Sequence, residues 1–99
     1  MKMKNYIETA KDNETIFRMI LDQFGVDNKD LSIDEIYTKF SVGDRDGIWT
    51  ILNFEEKEPN VFEFSSEEIA PLCGDGSTDL WTIVNDKLKH VQNISTWQS

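Results

Sequence analysis

Apolar residues in the first forty positions recur at spacings of three and four. Ile16, Phe17, Ile20, Leu21 and Phe24 share one helical face, which predicts a helix over 13–24. Asp12 and Asn13 offer caps before it, and Gly25 can take the left-handed conformation that stops it. Tyr6, Ile7 and Ala10 could extend the same face upstream. Ser32-Ile33-Asp34-Glu35 has the form of a capping box, in which the serine oxygen accepts a backbone N–H and the glutamate reaches back to the cap. Ile33, Ile36, Tyr37 and Phe40 then make a second apolar stripe. The glycines and aspartates of 42–47 predict a turn after it.

From Ile48 the period changes. Ile48 to Phe54 is short and rich in β-branched and aromatic residues, so a strand is expected. Glu55-Glu56-Lys57-Glu58-Pro59-Asn60 reads as a polar connection, and Val61 to Phe64 as a second strand of an antiparallel hairpin with a longer loop. A lone hairpin is marginal in water, so it must pack on the helices or gain a strand, for which residues 5–8 are one candidate. Ser65-Ser66-Glu67-Glu68 predicts another short helical turn, limited by Pro71. Cys73 to Ser77 reads as a loop.

One string occurs almost twice. Ile48 to Asn53 reads IWTILN, and Leu80 to Asn85 reads LWTIVN. The flanks do not match at the same offset, so this is not a repeated supersecondary unit. Wound at the helical period, Leu80, Trp81, Ile83, Val84, Leu88, Val91 and Ile94 fall on one side of residues 80–94, with polar residues on the other. A helix is therefore preferred there. The other reading is two strands meeting at Asn85-Asp86, which leaves a mixed face of Leu88, His90, Gln92 and Ile94. The expected fold is a single α+β domain over 1–99. Its N-terminal helices and a C-terminal helix pack on a small antiparallel hairpin.

Charge alters this picture most. The net charge is −9, and residues 12–86 hold eighteen acids against five bases, a segment of −13. Such a field repels nucleic acid and anionic lipid, and it attracts and steers a basic partner. The same acidity also keeps a small protein in solution without any partner. No apolar run approaches the roughly 18 residues of a membrane helix. The opening MKMKNYIETAKDNE turns polar where an export signal needs an apolar stretch. With a single cysteine, no disulfide framework is possible, and a cytoplasmic location is expected.

The residues are poorly suited to catalysis. One Cys and one His cannot build a zinc site. Asp75 to Asp79 imitates the start of a calcium loop, with Asp86 at its end, but Leu80 stands where glycine is needed. Cys73 and His90 are the sole thiol and imidazole, and nothing in the spacing orients them. Cys73 reads as a small buried hydrophobe, and His90 as a surface residue near a helix end. Glu55/Glu56 and Glu67/Glu68 lack a predicted cleft to separate their pKa values. No phosphate loop and no basic aromatic patch is present. A non-enzyme without metal or cofactor is expected.

What remains is a surface. Asp44 and Asp46 flank the entry to the first strand, Glu55, Glu56 and Glu58 occupy its far loop, and Glu63, Glu67 and Glu68 follow. With Trp49 among them, these are the candidate partner-binding residues, the aromatic as anchor and the carboxylates for steering. Trp81 is expected in the core and Trp97 partly exposed or docked late. In size, acidity and lack of catalytic equipment, the chain resembles bacterial immunity proteins, which neutralise a cognate toxin, often a nuclease. The resemblance is one of overall character, so no residue role comes with it. It implies an inhibitor covering a basic protein partner, with no membrane and no direct nucleic-acid contact. A nucleic-acid mimic of the phage or anti-CRISPR kind rests on the same acidity. An enzyme using Cys73 and His90 is the third reading.

Overall fold

The helical spacing of the first forty residues resolves into three helices: α1 (Tyr6–Asp12), α2 (Glu14–Gln23) and α3 (Ile33–Phe40). The computed structural model describes residues 6–40, 49–69 and 72–98. Asn13 explains the break between α1 and α2. Its φ of −139° leaves the helical region. Its side-chain amide turns back to donate to the Thr9 carbonyl (3.0 Å), so it closes α1 and does not cap α2. After α2, Gly25 takes φ 72°, and the Val26 N–H closes on the Leu21 carbonyl at 3.0 Å.

The link to α3 is built around two side chains. Arg18 donates to the Asn28 and Leu31 carbonyls, while its Nε holds Glu14 at 2.7 Å. Buried Asn28 donates to Asp22 at 2.8 Å and to the Val26 carbonyl at 2.9 Å. The capping box forms as the spacing predicts. Glu35 N–H donates to Ser32 Oγ at 3.1 Å, and Ser32 N–H donates to Glu35 Oε1 at 2.8 Å. The Ser32 backbone bond, helped by the hydroxyl, holds the Glu35 carboxyl below its ordinary pKa.

The rest of the described chain is one antiparallel meander, in the order β1 (Trp49–Glu58), β2 (Val61–Ile69), β3 (Gly74–Val84) and β4 (Lys87–Gln98). Its inner face carries Ile51, Phe54, Phe62, Phe64 and Trp81, which bury against Phe17, Ile20, Leu21 and Ile36 of the helices. Phe64 and Phe17 are fully buried at the centre. The class is α+β, but several expected elements differ.

The expected C-terminal helix over 80–94 does not form. Those residues end β3, turn at Asn85-Asp86 and run into β4. Asn85 and Asp86 both have positive φ, 53° and 63°, the geometry of a tight primed hairpin turn. A helix here would have ended β3 at Asp79, leaving Phe62 and Glu63 of β2 without partners and the far edge of β3 open. Pairing with β3 satisfies the β2 edge from Phe62↔Trp81 to Ile69↔Gly74. The helical arc of apolar residues is accommodated by bulges in β4 near Val91 and Ile94, which let the strand keep pairing while its face shifts. Asp86→Gly should therefore stabilise the protein by about 0.5–1 kcal/mol, since an L side chain no longer sits at positive φ. Chemical denaturation reads this, and a loss of stability would revive the helix.

Of three smaller corrections, the two that concern polar runs share a cause. Ser65 to Glu68 continues β2 and forms no helical turn, residues 6–8 lie in α1 and add no strand, and Glu55 to Glu58 belongs to β1. The hairpin loop is only Pro59-Asn60, with Asn60 at φ 66° and its N–H donated to Glu56 Oε2 (3.1 Å). Proline followed by a residue at positive φ suits a type II turn. Each polar run was absorbed into a strand because a neighbouring strand was there to pair with it.

The two copies of the repeated string thus do similar work. Trp49 and Ile51 face the helices from β1, as Trp81 and Ile83 do from β3. Trp81 is 8 % exposed, in the core as expected, though on a strand face.

Candidate functional site

The register of the sheet decides which candidate residues meet. Inner and outer faces alternate along each strand. Glu68 lies on the helix-facing side directly across from Trp49, and across from Asp75 on its other flank. Glu67 points to the outer side, opposite Thr50 and Gly76. Glu55 and Glu63 are also outward and face each other across β1 and β2. Like charges directly opposed repel. Here the Asn53 amide relieves the pair by donating to Glu63 at 3.2 Å and to Glu55 at 3.4 Å, and Lys57 approaches Glu55 at 3.6 Å. Glu56 and Glu58 sit at the Pro59-Asn60 end, where Glu56 caps the turn. Asp44 and Asp46 lie outside the described residues. The expected single acidic edge is therefore divided between two faces and two ends of the sheet.

On the inner face, beyond the point where the helices cover it, an open cleft of about 420 Å³ remains. Two rows across the strands line it, and Glu67, Gly76 and Trp97 also border it. One row runs Trp49, Glu68, Asp75, Gln98, and the next runs Ile51, Ser66, Ser77, Thr96, of which the three hydroxyl residues reach the cleft. Phe24, from the end of α2, stands beside Trp49 with ring centroids 5.5 Å apart. Trp49 is half-buried and also packs on Phe40 (5.8 Å) and Phe64 (6.0 Å), so its ring is held in place. Glu68 and Asp75 are exposed and have no cationic partner among the described residues. Ser66 is 3 % exposed, and its hydroxyl has no hydrogen-bond partner among the described residues.

Sequence reasoning found Trp49 and Glu68 but missed Asp75, Ser66 and Ser77. The sequence places Asp75 in a loop, yet Gly74 to Val84 is strand. The missed signal was alternation across 74–79, hidden by its glycines. Those glycines have a different role. A Cβ on Gly76 would collide with Trp97 Nε1 and lie 2.9 Å from the Ser66 carbonyl, and one on Gly74 would sit 3.3 Å from the Trp97 ring. Trp97 lies over them on the outer face, 40 % exposed, in line with the expectation of partial docking.

The thiol and imidazole are not brought together. Cys73 precedes β3, whereas His90 pairs with Trp81, about 23 Å along the strand at about 3.3 Å per residue. Cys73 is exposed, not buried as expected. His90 is a surface residue of β4, not of a helix, and its Nε2 meets Asp79 at 2.8 Å. Asn93 donates to the same buried carboxylate oxygen at 2.8 Å. This trio ties β4 to β3.

No protein family, curated protein or solved structure is detectably similar to this chain. Among the described residues, no helix is long and apolar enough to cross a membrane.

Proposed function

We propose that the protein is a non-catalytic binding protein that docks its acidic side onto a basic protein partner, as an inhibitor of the immunity kind acting on a cognate, nuclease-type toxin. The observation that carries this reading is the distribution of charge across the sheet. The β1–β2 hairpin holds six carboxylates against the single Lys57, while β4 carries Lys87, Lys89 and His90 and no acid. A sheet so polarised presents its β1–β2 side to positive charge and turns its β4 side away, which orients a partner during encounter. The ordered aromatic wall of Trp49 and Phe24 beside Glu68 supplies an apolar anchor next to the field.

The test is kinetic. Basic proteins retained by the chain at low ionic strength are purified and re-mixed with it in stopped flow. Substituting Glu55, Glu58 and Glu63 with Lys leaves the Glu56 turn cap intact and should slow association at least about tenfold at low salt, with little change in dissociation. Added salt should slow the native chain similarly. Association indifferent to both changes would remove the acidic hairpin from the interface. A retained protein that also binds nucleic acid at the same surface, released by competing oligonucleotide, would shift the reading toward a nucleic-acid mimic.

A further inference from the structure

The geometry points to the cleft beside Trp49 as a receptor for one arginine side chain presented by a protein partner. This inference rests on the binding reading above and names the group recognised at that same side of the sheet.

Glu68 and Asp75 are direct cross-strand neighbours, which places their Cβ atoms about 5 Å apart. Such a pair of like charges is unfavourable, and elsewhere in this sheet the equivalent pair, Glu55 and Glu63, is bridged by the Asn53 amide. The Glu68–Asp75 pair has no bridging donor among the described residues. A group that fits between two such carboxylates is positive and carries several N–H donors.

A second feature comes from a different part of the site. Ser66 is 3 % exposed and lines the cleft, and its hydroxyl, which has no hydrogen-bond partner among the described residues, remains reachable from it. A hydroxyl reachable from a cleft can accept a hydrogen bond from a ligand N–H there. Ser77 lies beside it in the next strand and adds a further oxygen to the floor.

The third feature is the wall. Trp49 and Phe24 give the cleft a fixed aromatic side next to its carboxylates. A guanidinium is planar, weakly hydrated, able to stack on an aromatic face and able to donate to two acceptors at once, whereas an ammonium is a compact, strongly hydrated point charge. A metal ion would gain nothing from the aromatic wall. Carboxylates on one side, hydroxyls on the floor and an indole on the other select the guanidinium.

The experiment is a heteronuclear NMR titration of the full chain with N-acetyl-arginine amide, repeated with N-acetyl-lysine amide. Saturable shifts are expected at the Trp49 indole N–H and at the Ser66 and Ser77 amides, with arginine binding several-fold more tightly than lysine. Glu68→Gln combined with Asp75→Asn should weaken arginine binding about tenfold, the worth of a lost charge-assisted contact. Glu55→Gln combined with Glu63→Gln removes equal charge from the other face and should change it less than about twofold. Equal losses in the two charge-matched pairs, or shifts spread over all the acidic segments, would overturn the pocket. Should the first pair fail to fold, Ser77→Leu, which fills the floor, carries the same expectation. If the arginine probe binds as described but no basic protein associates with the chain, the pocket stands and the inhibitor reading falls. If a basic partner binds and Glu68→Gln with Asp75→Asn leaves its affinity intact, the inhibitor reading stands and the pocket falls.

Discussion

Phe64→Ala should destabilise the protein by about 4 kcal/mol, the upper range for truncating a buried aromatic. Phe64 is fully buried, and its ring centroid lies within 6.3 Å of four others: Phe17 of α2, Phe24 just after that helix, and Trp49 and Phe54 of β1. It sits at the centre of the ring cluster that joins the helix layer to the inner face of the sheet. Removing it leaves a cavity walled by rigid rings that cannot collapse inward, so the lost contacts are not recovered. A domain of this size has a total stability of only about 5–15 kcal/mol. The variant should unfold at a denaturant midpoint far below that of the native chain, with an unchanged slope if both remain two-state. A loss under about 1 kcal/mol would mean that the helices are held to the sheet by something other than this aromatic cluster.

Gly76→Ala is the second large effect, and its origin is the opposite: excess volume in place of missing volume. Gly76 lies in β3 between Glu67 of β2 and Trp97 of β4. An added methyl meets the Trp97 indole on one side and the Ser66 carbonyl, 2.9 Å away, on the other. The indole can swing aside, because it is partly exposed, but the Ser66 carbonyl is ladder backbone and cannot. Overpacking of this kind costs about 1–3 kcal/mol. The strain should appear locally. Amide exchange should quicken in β4 from Ser95 to Gln98, and the fluorescence of Trp97 should shift to that of a solvated indole. Trp97→Ala alone should cost less, and the double variant should recover part of the Gly76→Ala loss but not all of it. Full recovery would show that the carbonyl contact is relieved by a small shift of the strand. Simple additivity of the two single effects would show that the indole does not cover this glycine.

The same glycines show why the site was only half legible. Glycine in a run such as Cys73-Gly74-Asp75-Gly76-Ser77 is locally a turn signal. In the folded chain its lack of a side chain serves a partner twenty residues further on, where Trp97 needs room. No window around residue 75 contains that information, so the local sequence places Asp75 in a loop and hides its pairing with Glu68. Trp49 and Glu68 were visible because an aromatic among acids stands out in composition alone. Their distance from Glu55, Glu63 and Glu67 was not visible, since the side of the sheet on which a residue appears depends on register, and bulges after Ile51 and before Glu58 alter it.

The first forty residues were governed by local rules. Helical spacing, the Ser32–Glu35 box and the left-handed Gly25 act between residues a few positions apart, and the structure keeps all three. The charge of the chain and the strand character of 49–54 were likewise inherent in the residues. Tertiary structure decided the remainder. Residues 80–94 had an adequate helical face and an adequate strand pattern, and the choice fell to the partners still wanting at Phe62 and Glu63 of β2 and along the far edge of β3. Once β2 took the whole of β3, the turn at Asn85-Asp86 brought β4 alongside, and the hydroxyl and carboxylate rows of the cleft came into register. Local propensity is worth tenths of a kcal/mol per residue, whereas an unpaired strand edge and an uncovered aromatic face cost several together, so long-range pairing prevailed wherever the local signal was divided.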